Sequence, residues 1–240
     1  MSGDFDRYRH TYRDEVQRSI RFSGQDVGFF TDVKANLLVD LAARRWGDPA
    51  GLSVLDVGCG VGLTDAALEG RFGSIHGVDV SEGAVAEAAA ANPWATYGSY
   101  DGNTLPFDDD AFDLAFAICV LHHVDPPDRI AFAGEMRRVV RPGGLVVLIE
   151  HNPLNPLTRV AVGRCDFDDG VVLLRRKAAR DLMLANGLRP VELPYVLFFP
   201  WRVAWLRRAE RGLTWLPLGA QYIAVGRKIR ADPDRYHPAP

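Results

Sequence analysis

Leu52-Ser53-Val54-Leu55-Asp56-Val57-Gly58-Cys59-Gly60-Val61-Gly62-Leu63 is the stretch on which the reading of this chain turns. Its first half, Leu52 to Val57, is a short apolar run of the kind that forms a buried strand. Gly58, Gly60 and Gly62 then alternate through a tight loop, and the pattern from Leu63 to Gly70 starts a helix. Glycine lets a ligand approach the backbone with no side chain between them. The loop also aims the unpaired N–H groups of the following helix at whatever binds there. The spacing is G-x-G-x-G, with Leu63 where a dinucleotide loop of the form G-x-G-x-x-G has its third glycine. No lysine follows, which excludes a P-loop.

Asp56 stands just before the glycines. A carboxylate there repels a pyrophosphate and suits a ligand that carries an ammonium and a sulfonium. Together with Gly77-Val78-Asp79-Val80-Ser81, the stretch resembles motif I of the class I S-adenosylmethionine (SAM)-dependent methyltransferases, and the resemblance extends from about Leu52 to Gly144. It implies an α/β fold: a doubly wound, Rossmann-like, seven-stranded sheet with its last strand antiparallel, elaborated by N-terminal helices and lid insertions. It also implies SAM as cofactor, S-adenosylhomocysteine as product, and cofactor contacts from Asp56, Gly58, Cys59, Gly60, Gly62, Asp79, Val80, Asp101, Gly102, Ile118 and His123. Asp79 ends the second strand, where an acid holds a ribose diol. Tyr100-Asp101-Gly102-Asn103-Thr104-Leu105-Pro106-Phe107 matches the family's Asp-turn-Leu-Pro-Phe pattern, which gives Asp101 the adenine amino group.

The chain has 240 residues, a length suited to one α/β domain with elaborations. Its net charge of −3 gives no field to recruit nucleic acid. Cys59, Cys119 and Cys165 form no C-x-x-C pair, which speaks for a reducing compartment and against a zinc ribbon. Asp108-Asp109-Asp110 reads as a solvated turn, and no metal is expected. The acidic start of the chain lacks a secretory signal, and no apolar run reaches spanning length. A cytoplasmic protein is therefore expected, with a small-molecule substrate and no nucleic-acid partner; a homodimer is left open.

Within residues 1–46, Tyr8, Tyr12, Val16 and Ile20 recur at helical spacing, and Asp26 or Thr31 could cap a second helix through Arg45. In enzymes of this type such helices close over the cofactor, although Phe22 and Phe29 would serve equally as packing. Residues 47–150 form the cofactor-binding core. Ser74–Val80, Trp94–Ser99, Phe112–Cys119 and Leu145–Glu150 read as strands two to five, with a helix over Pro126–Val140. Residues 151–230 form the substrate side, with excursions at 151–174 and 200–217. There, Pro153 and Pro156 keep the chain out of helix, a helix follows near Ala178–Asn186, and Val191–Phe199 and Ala220–Arg227 supply the last two strands. Trp201, Trp205 and Leu206 share a helix face with arginines around it, to be read as a substrate lid, a dimer or membrane surface, or an ordinary amphipathic helix. Residues 231–240 form a polar, proline-rich tail.

Val120-Leu121-His122-His123-Val124 lacks the Asn/Asp-Pro-Pro-aromatic motif of enzymes that methylate nucleobase amines, and it is similar to small-molecule enzymes such as those of quinone biosynthesis. Methyl transfer to oxygen or nitrogen needs alignment and, at some stage, loss of a proton. His122, His123 and His151 sit at predicted strand ends. His151 and His123 are the candidate catalytic residues: His151 as base, His123 as base or as a structural contact to the cofactor. The alternatives are a SAM-binding enzyme that cyclises, rearranges or decarboxylates its substrate, or a SAM-binding subunit without catalysis.

Overall fold

Strand β5, Val140–His151, shows how the sheet is buried. Leu145, Val147 and Ile149 point to one face and Val146 and Leu148 to the other, and all five are buried. A strand that is apolar on both sides has helices on both sides. The computed structural model describes residues 12–201 and 203–229. Tyr8, Arg202 and residues 231–240 lie outside the described residues.

The remaining strands are β1 (Ser53–Val57), β2 (Ser74–Asp79), β3 (Thr96–Ser99), β4 (Phe112–Ile118), β6 (Leu188–Glu192), β7 (Tyr195–Val196) and β8 (Gln221–Lys228). Their order is β3-β2-β1-β4-β5-β8-β6, with β7 also on β8. β1 to β5 are parallel, and β8 runs antiparallel to β5, β6 and β7. The doubly wound sheet with a reversed last strand is therefore as expected, but it counts eight strands rather than seven. The sixth breaks at Leu193-Pro194, after a register shift between Pro190 and Glu192. Proline donates no ladder hydrogen bond and is confined to edges and irregularities.

On one face lies α2 (Val27–Trp46), packing Phe29, Ala35, Leu38, Leu41 and Ala42 against Val54, Leu114 and Val147. Asp26 caps it, accepting from the Phe29 N–H at 2.7 Å. On the other face are α5 (Arg129–Val139) and α7 (Arg176–Ala185), which bring Phe132, Met136 and Met183 to Ala115, Val146 and Ala224. The short α3 (Leu63–Ala66) and α4 (Glu82–Ala91) follow β1 and β2. α1 (Tyr12–Ile20), α6 (Pro156–Val162) and α8 (Ala204–Glu210) complete the helices among the described residues.

Several expectations need correction. Pro156 does not exclude helix but begins one. It occupies the first turn of α6, where its missing N–H costs nothing, and Asn155 caps the helix through the Thr158 N–H at 3.0 Å. α5 starts at Arg129 rather than Pro126, since Asp125 to Asp128 make a turn. Arg141–Gly144 lies inside β5, yet the partners jump from Phe112↔Val140 to Leu114↔Leu145, so these residues still loop out of the ladder. Trp201 precedes α8 instead of sharing its face, and Trp201 and Trp205 are both exposed. Asp109 and Asp110 are not merely solvated: they pair with Arg138 at 3.0 Å and Lys228 at 2.6 Å.

Candidate active site

The carboxyl ends of β1, β2, β4 and β5 bring the expected residues to one edge of the sheet. After β1 the chain turns through Gly58, Gly60 and Gly62 at φ of 81°, 53° and 71°, values that favour glycine. Gly58 and Cys59 donate their N–H groups to the Val78 carbonyl at 2.7 and 3.0 Å, which ties the loop to β2. A Cβ on Gly58 would lie 2.5 Å from Val120, and one on Gly62 would lie 2.5 Å from the Asn92 amide. A Cβ on Gly60 would meet nothing within 4 Å. The first and third glycines thus serve packing, and the middle one leaves an open cradle. Cys59 is buried beside them, and burial pushes its thiol up.

Asp79 closes this cradle. Its two oxygens accept from the Gly60 and Ser81 N–H groups, each at 2.9 Å. The loop therefore fixes the acid's orientation, and a carboxylate has further lone pairs for a diol. Next to it, Gly102 lies at φ 83° with its Cα facing the Val80 side chain. Asp101 is exposed and accepts from the Asn103 and Thr104 N–H groups at 2.8 Å, which hold its carboxyl below the usual range. Ile118 ends β4, half-buried, at the same edge.

Asp56 is 3% exposed and does not stand open as an ionised carboxylate. Burial raises its pKa, and Asp65 raises it further through its charge and a hydrogen bond. Asp65 itself is raised to about 6, chiefly by burial, while accepting from the Tyr97 hydroxyl at 2.8 Å. Tyr97 also accepts from Asn92, which in turn donates to the Gly62 carbonyl. This carboxyl pair beneath the loop was not singled out from sequence, although a second acid nine residues after Asp56 was its available signal.

The three strand-end histidines meet. The ring centroids of His122 and His123 are 4.2 Å apart, and those of His122 and His151 are 5.2 Å apart. His122 is buried, with Nδ1 2.7 Å from Glu150 and Nε2 3.4 Å from Asp168. Burial works against its charge, but the two carboxylates outweigh it and push His122 up to about 10. His123 Nε2 lies 3.2 Å from the same Asp168 oxygen, and burial lowers its pKa. His151 is lowered to about 4, by burial and then by the His122 charge, so it is neutral near pH 7. Its Nδ1 lies 3.5 Å from the Gln221 amide, which donates to Cys119 Sγ at 3.1 Å. Cys119 holds φ 58°, a strained setting for a non-glycine residue at a site. From α2, the charge of Lys34 acts on Asp56, Cys119 and His151 together. Glu150 could have been suspected as an acid ending an apolar strand, but nothing local marks Lys34 or Asp168.

The accessory segments rise from the same edge. β5 ends at His151, opposite Gln221 of β8, and the chain leaves into 152–174. β7 ends beside Gln221 and leaves into 197–220. Arg164 stacks over Phe22 at 5.7 Å, joining the first excursion to the N-terminal segment. Among the described residues, no helix is long and apolar enough to cross a membrane.

Residues 55–148 match the methyltransferase domain family. An uncharacterised methyltransferase of Mycobacterium sp. (strain JLS) is 37% identical over 213 residues, which cover 88% of this chain and 76% of that protein. The 2-methyl-6-phytyl-1,4-hydroquinone methyltransferase of Synechocystis is 34% identical over 119 residues, covering 46% of this chain but only 37% of that protein. A SAM-dependent methyltransferase structure from Thermotoga maritima superposes with a TM-score of 0.66 at 18% identity, covering 95% of this chain and all of the other. That likeness is one of fold.

Proposed function

This chain belongs to the class I SAM-dependent methyltransferase family, and on that premise we propose that it methylates an oxygen or nitrogen of a small biosynthetic substrate. The open Gly60 cradle facing the anchored Asp79 is the observation that carries the reading. Asp79 would hold the ribose, Asp101 and Gly102 the adenine, and the Gly58–Gly62 loop the amino-acid end. The fit rests on the space at Gly60, where an added Cβ would meet nothing within 4 Å, beside the acid that accepts from the Gly60 N–H. The cofactor supplies an activated methyl on sulfur, so the protein's part is alignment, exclusion of water and proton removal.

His151 is our choice for the proton acceptor. It is uncharged near neutrality and rigidly flanked by Glu150 and Asn152, whose amide donates to the Pro217 and Gly219 carbonyls. A pKa near 4 makes it a weak base, so its effect should fall at the low end of general-base catalysis. The hydroquinone named as acceptor of the Synechocystis relative is what supports an aromatic acceptor for this chain.

The test is product analysis with labelled SAM and a panel of phenolic, hydroquinone and amine acceptors, run beside two variants. Asp79→Ala should weaken SAM about tenfold to a hundredfold. His151→Ala should keep SAM affinity and lower turnover about a hundredfold. Turnover without S-adenosylhomocysteine would point instead to a cyclisation, rearrangement or decarboxylation.

A further inference from the structure

The structure assigns a divalent transition-metal site to His122, His123 and Asp168. His122 Nε2 and His123 Nε2 lie 3.4 and 3.2 Å from one oxygen of Asp168, and the three ligand atoms all fall within 4.8 Å of one another. Bonds of about 2.0–2.1 Å to a tetrahedral ion put neighbouring ligand atoms about 3.3 Å apart, so two of the three edges already have the right length.

Three further features fit an ion rather than a plain ion pair. First, Asp168 Oδ1 is buried and receives no hydrogen bond of acceptable geometry, although two imidazole nitrogens face it. An acceptor faced by two imidazoles off hydrogen-bond geometry keeps a lone pair open to a cation. Second, Glu150 binds the far nitrogen of His122 at 2.7 Å, which directs Nε2 inward. A carboxylate behind a histidine in this way is the usual support for a metal-bound imidazole. Glu150 is itself held in place by the Leu121 N–H at 2.7 Å. Third, the cluster gathers two carboxylates, Glu150 and Asp168, on the two ring nitrogens of His122.

Asp168 also lines an open cavity with Arg159, Cys165 and Val171. Two imidazoles and one carboxylate suit Zn2+, with Fe2+ and Mn2+ as weaker competitors. Three protein ligands leave a fourth position for a water or substrate oxygen. The site stands on its own geometry and does not require methyl transfer.

The experiment uses the full chain stripped with chelator and titrated with Zn2+ by calorimetry, then loaded with Co2+ for visible spectroscopy. One ion per chain and a tetrahedral Co2+ d–d spectrum are expected. Glu150→Gln, which keeps an acceptor for Leu121, should weaken the ion about tenfold to a hundredfold. Asp168→Asn and His123→Gln should each weaken it more and abolish the spectrum. A wild-type chain that binds no stoichiometric ion and gives no Co2+ spectrum would overturn the site. So would wild-type affinity in folded Asp168→Asn and His123→Gln, which would place the ion elsewhere. If either variant fails to fold, as judged by circular dichroism, the wild-type spectrum and Glu150→Gln decide. SAM binding to the same stripped protein reports separately on the cofactor site.

Discussion

Asp65 shows how a single side chain can be set by burial. It is fully buried, it meets Asp56 in the interior, and its pKa rises from 3.8 to about 6. A carboxyl raised on folding holds its proton more tightly in the folded chain, so its contribution favours folding at low pH and is lost as pH climbs from about 4 through 6. Asp65→Asn removes that dependence. Relative to wild type, the variant should gain about 2 kcal/mol between roughly pH 4.5 and 7.5, at 1.36 kcal/mol per unit. Urea denaturation of both proteins at the two pH values measures this. An unchanged difference would mean that Asp65 is ionised throughout. The opposite sign holds around Glu150 and Asp168, whose carboxyls burial would raise but which His122 holds down. The comparison must therefore be made between variant and wild type and not read from one pH curve.

At the scale of an element, the β1 loop depends on which atoms surround each glycine. Gly58 has a positive φ and Val120 against it, and Gly60 has a positive φ and open space. Gly58→Ala should therefore cost about 2–4 kcal/mol, combining left-handed strain with overpacking. Gly60→Ala should cost only the strain, about 1–2 kcal/mol. The order should reverse for ligand: Gly60→Ala should lose most SAM affinity, since its new methyl enters the cradle. Adding Val120→Ala to Gly58→Ala should restore the steric share and leave the strain. Denaturation together with SAM calorimetry would check this, and equal stability costs at the two glycines would refute the assignment of packing to one and cofactor space to the other.

Over the whole molecule, the buried strands β1, β4 and β5 form a rigid floor, and the less buried excursions stand at its carboxyl edge. Exposed apolar side chains concentrate on those excursions: Leu154, Leu157, Trp205, Trp215 and Leu218. Segments with few buried contacts open most readily. If they roof the cofactor and substrate, SAM or S-adenosylhomocysteine should slow amide exchange in residues 12–30, 156–174 and 203–217, with little change in β4 and β5. Exchange that is identical with and without ligand would leave those segments as ordinary surface.

What the sequence determined by itself is what the chain encodes over short distances. The apolar run before Gly58, the G-x-G-x-G spacing and Asp79 twenty-odd residues on were enough for the fold and for the glycine loop with its facing acid, because strand period and glycine's left-handed backbone are local properties. The second helix was legible for the same reason, but its cap only as Asp26 or Thr31, and the bond from the Phe29 N–H decides for Asp26. Where local rules competed, local reading failed. Pro156 could break a helix or begin one, and only the Asn155 cap decides. The sixth strand's break at Pro194 depends on the edge it occupies. What the tertiary structure alone decided is which charges share one buried volume. His122 and Glu150 are 28 residues apart, Asp168 ends a three-residue 3-10 turn with no periodic signal, and Lys34 comes from α2. Their pKa values follow from burial and from one another, so that two adjacent histidines end with opposite shifts. Desolvation and Coulomb interaction act through space, and no spacing along the chain records them.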